Sequence, residues 1–198
     1  MNKLILVATF LCLAAVGQCW SPGHCPPAPP ALTTFDRTRY SGVWYEDERT
    51  FYLPESGLKC IKADMAINET DPHKSIIEVD TSYYMKSGQL VQMNLTDSFL
   101  NASRPARITM NIDSPAVPYS LTYDIVAIDY ESWAVLYQCE EKTVVWQPFH
   151  SELLWTLVRV RNVTQQVRQT VYAAIDALKL DRSGLQPVDQ TNCTNLFF

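Results

Sequence analysis

The sequence predicts an all-β fold of about eight short antiparallel strands, a barrel or a sandwich, with one helix after them. Three observations predict it. Between Trp44 and Arg159 apolar residues recur at alternate positions in short runs. Clusters of Asn, Ser, Gly, Pro and Asp separate those runs at regular spacing. The apolar period then changes once, from two to between three and four, over residues 162–179.

Residues 1–17 read as a secretory signal peptide. Lys3 supplies the positive start, residues 4–16 are apolar, and Ala15-Val16-Gly17 offers small residues for cleavage. The apolar run is shorter than the roughly 20 residues that a spanning helix needs. Residues 18–198 suit one domain, soluble and extracellular, which opens on a proline-rich arm over 18–34. A short helical turn follows, and then Gly42-Val43-Trp44-Tyr45-Glu46 opens a strand over 43–52. A Trp at such a position needs a buried site and a partner for its indole N–H. Several inward candidates on this strand are acidic.

Further strands are expected over 60–67, 75–84, 89–95, 106–112, 119–128, 133–139 and 153–159. Met65 and Ile67 share one face of the second. Ile77, Val79, Thr81 and Tyr83 share one face of the third, and Tyr119, Leu121, Tyr123, Ile125 and Ala127 one face of the sixth. The helix over 162–179 starts at Asn162 as N-cap, with Gln165 completing a capping-box pattern. Its apolar stripe of Val163, Val167, Val171, Ala174, Ile175 and Leu178 packs on the outside of the sheet. Residues 185–188 add a last edge strand ahead of a tail over 189–198.

Composition narrows the function. Removing the signal leaves 15 basic against 21 acidic side chains, a net of −6. An acidic chain without a basic block argues against nucleic acid and anionic membranes as partners. His24, His73 and His150 stand in no nucleophilic or metal-ligating pattern, so neither catalysis nor a metal is expected; His73 is the one candidate for ligating haem. Cys12 leaves with the signal. Cys19, Cys25, Cys60, Cys139 and Cys193 are too widely spaced for a zinc or redox pair and read as disulfide-forming, with three pairings open to the last four. Cys19 is left over and offers a disulfide-linked dimer, unless cleavage falls after it and leaves an even count. Sequons at Asn68, Asn94 and Asn101 are the glycosylation candidates, the last two flanking an expected turn; Asn162 and Asn192 also stand in sequons.

Three ordered signatures resemble the lipocalin family, and within it the apolipoprotein D and insect bilin-binding branch. They are Gly42-Val43-Trp44, then Asp129-Tyr130 with Ile128 where the family carries Thr, and Arg159 at the end of the last strand. The resemblance covers the whole mature chain. It implies an eight-stranded antiparallel up-and-down barrel closed at one end, with one flanking helix. It also implies the pairings Cys25–Cys139 and Cys60–Cys193. Trp44 becomes the plug of the closed end, with the Arg159 guanidinium stacked on it and bonding backbone carbonyls. Asp129 and Tyr130 become a tight turn.

An eight-stranded barrel has room for one small ligand. With Arg159 at the base, parity brings Leu157 and Trp155 into the cup, and Met65, Tyr83 and Tyr123 are the matching choices on other strands. The expected function is carriage of a small hydrophobic ligand, a lipid, sterol-like molecule, retinoid or linear tetrapyrrole. No cofactor is required, and a bilin or lipid is the candidate occupant. A pocket enzyme or haem protein, and a loop-bearing interaction scaffold, are the alternatives.

Overall fold

Eight antiparallel strands close on themselves in the computed structural model, which describes residues 20–71, 75–99, 101–112 and 119–193. The signal expectation, Cys19 and His73 lie outside those residues. The chain runs β1 (Ser21–Pro22), α1 (Arg37–Tyr40), β2 (Gly42–Arg49), a 3-10 turn (Leu53–Glu55), β3 (Leu58–Ile67), β4 (Ser75–Tyr84), β5 (Leu90–Ser98), β6 (Arg107–Ile112), β7 (Ser120–Ile128), β8 (Trp133–Val144), β9 (Gln147–Val158), α2 (Gln165–Ala177) and β10 (Gln186–Pro187). Each strand from β2 to β9 pairs with the next, and β9 returns to β2 with Tyr45 opposite Val158. Closure removes the free edges that an open sheet would expose. The barrel, not the sandwich, is the outcome. Outside it, β1 pairs with β9, and β10 takes the edge of β2 that β3 leaves.

The closed end is held by one cation. The Arg159 guanidinium lies 3.7 Å above the Trp44 ring. It donates to the backbone oxygens of Val43, Tyr130, Arg39, Tyr40 and Ser41 at 2.7–3.2 Å. Its planar fork reaches carbonyls of three segments at once, which an ammonium could not. Trp44 is fully buried, and its indole N–H donates to the Tyr40 carbonyl at 2.7 Å. Gly42 has φ +101°, and a Cβ there would stand 3.3 Å from the guanidinium. Asp129 accepts from the amides of Glu131, Ser132 and Trp133, while the Tyr130 hydroxyl accepts from the Asp36 amide.

The acidic run in β2 is resolved by a register shift between Glu46 and Glu48. Glu46 faces the cup. Asp47 and Glu48 face out under α2, where Arg168 clamps Asp47 and the Tyr172 hydroxyl donates to Glu48 at 2.8 Å. Val171 and Ile175 of α2 pack on Val126, Val135, Tyr137 and Leu154 on the outer face of β7–β9. Full burial of two such side chains is worth about 1.5–3 kcal/mol each.

Cys25–Cys139 joins the arm to β8, and Cys60–Cys193 joins the tail to β3, with Cα separations of 6.0 and 5.5 Å. The tail is further held where the Cys60 amide donates to the Asp189 carbonyl and the Gln190 amide donates to the carbonyls of Glu46 and Ile61.

Several expectations need correction. The N-cap is Thr164, whose hydroxyl accepts from the Val167 amide, so the helix starts at Gln165 and Asn162 stands exposed before it. β5 runs on to Ser98, which puts Asn94 on the outer face in mid-strand, away from any turn. β8 and β9 extend to a two-residue turn of Val145 and Trp146, both at positive φ. A turn of that kind favours Gly or Asn, so nothing in its residue types announces it. Another concerns β4. Ile77 is exposed, and Tyr83 packs on the Cys60–Cys193 bond outside the barrel, while Ile76, Glu78 and Asp80 face inward. The tail folds over that outer face, so the apolar parity of β4 serves a second layer.

Candidate functional site

The barrel encloses a cavity of about 330 Å³, open at the end opposite Arg159. That volume lies at the lower end of the range for small-molecule sites. Alternation places its walls. Ala63 and Met65 come from β3, Met93 and Leu95 from β5, Met110 and Ile112 from β6, Leu121 and Tyr123 from β7, Leu136 from β8, and Trp155 and Leu157 from β9. Trp44 forms the floor. The mouth carries Tyr52, Pro54, Glu55 and Tyr119, and the Tyr52 and Tyr119 hydroxyls hydrogen-bond across it. Of the residues expected to line the cup, Met65, Tyr123, Trp155 and Leu157 are brought together there, and Tyr83 is not.

Trp155 links wall to mouth. It is 5% exposed, meets Tyr52 edge-on at 5.7 Å between ring centres, and donates from its indole nitrogen to Glu55 at 3.3 Å. Burial, and the charge of nearby Glu46, push Glu55 well above the usual carboxylate range. Arg49 answers both carboxyls, bonding Glu46 at 2.7 Å and standing 3.5 Å from Glu55.

The opposite wall is different. Glu78 and Asp80 line the cavity, and Asp97 is wholly buried beside them. Burial first, then the charge of Asp97 and Asp80, push Glu78 well above its ordinary value. Burial pushes Asp80 up to about 7 and Asp97 up to about 6. Sequence reasoning missed every one of these acids. Charged residues on alternating strands are assigned to solvent by default, and the alternation of Glu78 and Asp80 was the one available signal.

His24 pairs with Glu141 on the exposed arm, and His150 donates to the Gly23 carbonyl, so neither reaches the cup. Asn68 and Asn101 hold Asx turns through their side-chain oxygens, whereas Asn94 is exposed. No helix among the described residues is long and apolar enough to cross a membrane.

No family model matches the chain. It is 31% identical to apolipoprotein D of Rattus norvegicus, over 97% of each chain, and 30% identical to apolipoprotein D of Oryctolagus cuniculus, over 90% of this chain and 89% of that one. Among solved structures, insecticyanin of the tobacco hornworm Manduca sexta superposes with a TM-score of 0.77 at 19% identity, covering 89% of this chain and 91% of that one.

Proposed function

The chain belongs to the lipocalin family, among the relatives of apolipoprotein D, and we propose that it is an exported carrier holding one small hydrophobic ligand in the barrel cup. The observation that carries this reading is the cavity. A closed barrel could fill its interior with side chains. This one leaves about 330 Å³ empty, walled by Met, Leu, Ile and aromatic side chains and open at one end. Met65, Tyr123, Trp155 and Leu157 make the contacts, and the role is carriage, not catalysis. Export fits the two disulfides, which persist in an oxidising compartment.

A lipid, sterol-like molecule, retinoid or bilin is the candidate occupant. Titrating the purified protein with retinol, cholesterol, arachidonate and biliverdin tests the reading. Saturable quenching of tryptophan emission by at least one of them, at one site per chain, is the expected result. A flat response to all four, and to decylamine, decanol and decanoate as well, rejects the carrier. It would favour a barrel that serves as a scaffold for its loops.

A further inference from the structure

We propose that the ligand this cup is built for carries a cationic head, an ammonium on a hydrophobic body, and that Glu78 and Asp80 receive it. The inference rests on the carrier reading above and adds the chemistry of the ligand's polar end.

Carboxyls inside the barrel outnumber their partners. Glu46, Glu55, Glu78 and Asp80 all line the cavity, with Asp97 behind them. Arg49 is committed to Glu46 and Glu55. Glu78 is 5% exposed and its Oε2 has no hydrogen-bond partner; Asp97 is 0% exposed, and Glu78 and the Tyr123 phenol are the groups that hydrogen-bond towards its carboxyl. The groups that act on Glu78 are the carboxyls of Asp97 and Asp80. Those that act on Asp80 are Glu78, Asp97, Glu46 and Asp64, and the Tyr123 phenol acts on Asp97. Each of these is an acid.

The strand register puts apolar side chains around the acids. Glu78 stands across from Met65 on one side and Leu95 on the other, and Asp80 across from Ala63 and Met93. Burying an unpaired carboxylate among such neighbours is costly, and apolar residues of similar size would pack the wall at lower cost. A cation arriving with the ligand would satisfy the orphaned Glu78 oxygen. A metal ion fits less well: among the described residues no group of three or more His, Cys, Asp or Glu side chains is placed to hold one. An ammonium needs fewer oxygens, and the Tyr123, Trp44 and Trp155 rings that line the same cavity can take the rest of its surface. An anionic head, such as a fatty acid carboxylate, would meet like charge here.

The test compares three probes with one tail: decylamine, decanol and decanoate, each titrated at pH 7.5 with tryptophan emission and calorimetry as readouts. Decylamine should bind about tenfold or more tighter than decanol, as expected for a charge-assisted hydrogen bond, and decanoate should bind weakest. In the Glu78→Gln/Asp80→Asn double variant that preference should vanish while decanol binding persists, which also shows that the variant is folded. If decanol or decanoate binds wild type as tightly as the amine does, the cationic head is wrong and the carrier stands. A preference for the amine that survives in the double variant also overturns the assignment. If none of the three probes binds, nor any of the four ligands of the earlier panel, the carrier reading falls and takes this inference with it.

Discussion

Trp155 and Trp44 are both inward-facing indoles of one barrel, yet they should respond oppositely to truncation. Trp44 is 0% exposed, bonded to Tyr40 and covered by Arg159, so Trp44→Ala empties a packed site. Core truncations of that size cost about 3–5 kcal/mol. At about 2–4 °C per kcal/mol for a domain of this length, Tm should fall by the order of 10 °C. Both rings border the cavity, but Trp155 stands in its wall beside the mouth without a guanidinium stacked behind it, so its truncation mainly enlarges the void. Its stability cost comes mainly from Glu55, which loses its indole donor, and is about 1–3 kcal/mol. Ligand binding should suffer more. Losing one aromatic wall removes about 1–3 kcal/mol, a weakening of about 5- to 150-fold. Trp155→Phe keeps a ring in the wall and should recover most of the affinity. The assay is a melting curve for each variant beside a titration with whichever panel ligand binds wild type. If Trp155→Ala binds as wild type does and melts as early as Trp44→Ala, Trp155 belongs to the structural core and the cup has been drawn in the wrong place.

Gly42→Ala forces a side chain into a left-handed backbone and towards Arg159; a loss of about 2 kcal/mol or more is expected in chemical denaturation, and an unchanged midpoint would contradict the packing of the closed end. Arg168→Ala leaves Asp47 buried without its partner, which should cost about 3 kcal/mol, and adding Asp47→Asn should restore part of it; no recovery in the double variant would show that α2 depends on something else. Asp80 and Asp97 have folded-state pKa values of about 7 and about 6 against an ordinary aspartate value of 3.8, so the folded state holds protons that the unfolded chain releases. Their contribution to stability is present below about pH 4 and is lost as pH rises through 6–7, so the empty protein should melt lower at pH 8 than at pH 5. Asp80→Asn should flatten that slope, and an equal slope in the variant would place the titration elsewhere. Replacing both Cys60 and Cys193 by Ser should cost about 3–5 kcal/mol, measured by denaturant melts, because the closed loop is long; an unchanged melt would mean that hydrogen bonds alone hold the tail.

How much of this was readable in advance depended on what each strand face touches. On β7 and β9 one face meets the cup and the other meets α2 or solvent, so period two brings Tyr123, Trp155 and Leu157 to the cavity wall. On β4 both faces are occupied. The tail and its disulfide cover the outside, which pulls Tyr83 outward and turns Glu78 and Asp80 into the barrel. Hydrophobic alternation alone reads that strand inside out, because it assumes that the apolar face is the inner one. Ala127 fails for another reason: the register shift between Ile125 and Ala127 moves it to the outer cluster under α2. Gly42 and Arg159 were legible through the family signatures that carry them, and the structure gives each, with Trp44, a constraint few residue types can meet: a deep indole with one donor, a left-handed backbone under a guanidinium, and a planar five-donor fork. The carboxyl wall was not, because its rationale is a group that the polypeptide does not supply.

Native mass spectrometry of the protein purified from its own source, before and after organic extraction, tests the central claim most directly. A carrier should leave with one small molecule of defined mass per chain, lost on extraction and regained when the extract is returned. A folded chain whose mass is that of polypeptide and glycan alone in every state, and which regains nothing from the extract, would contradict it.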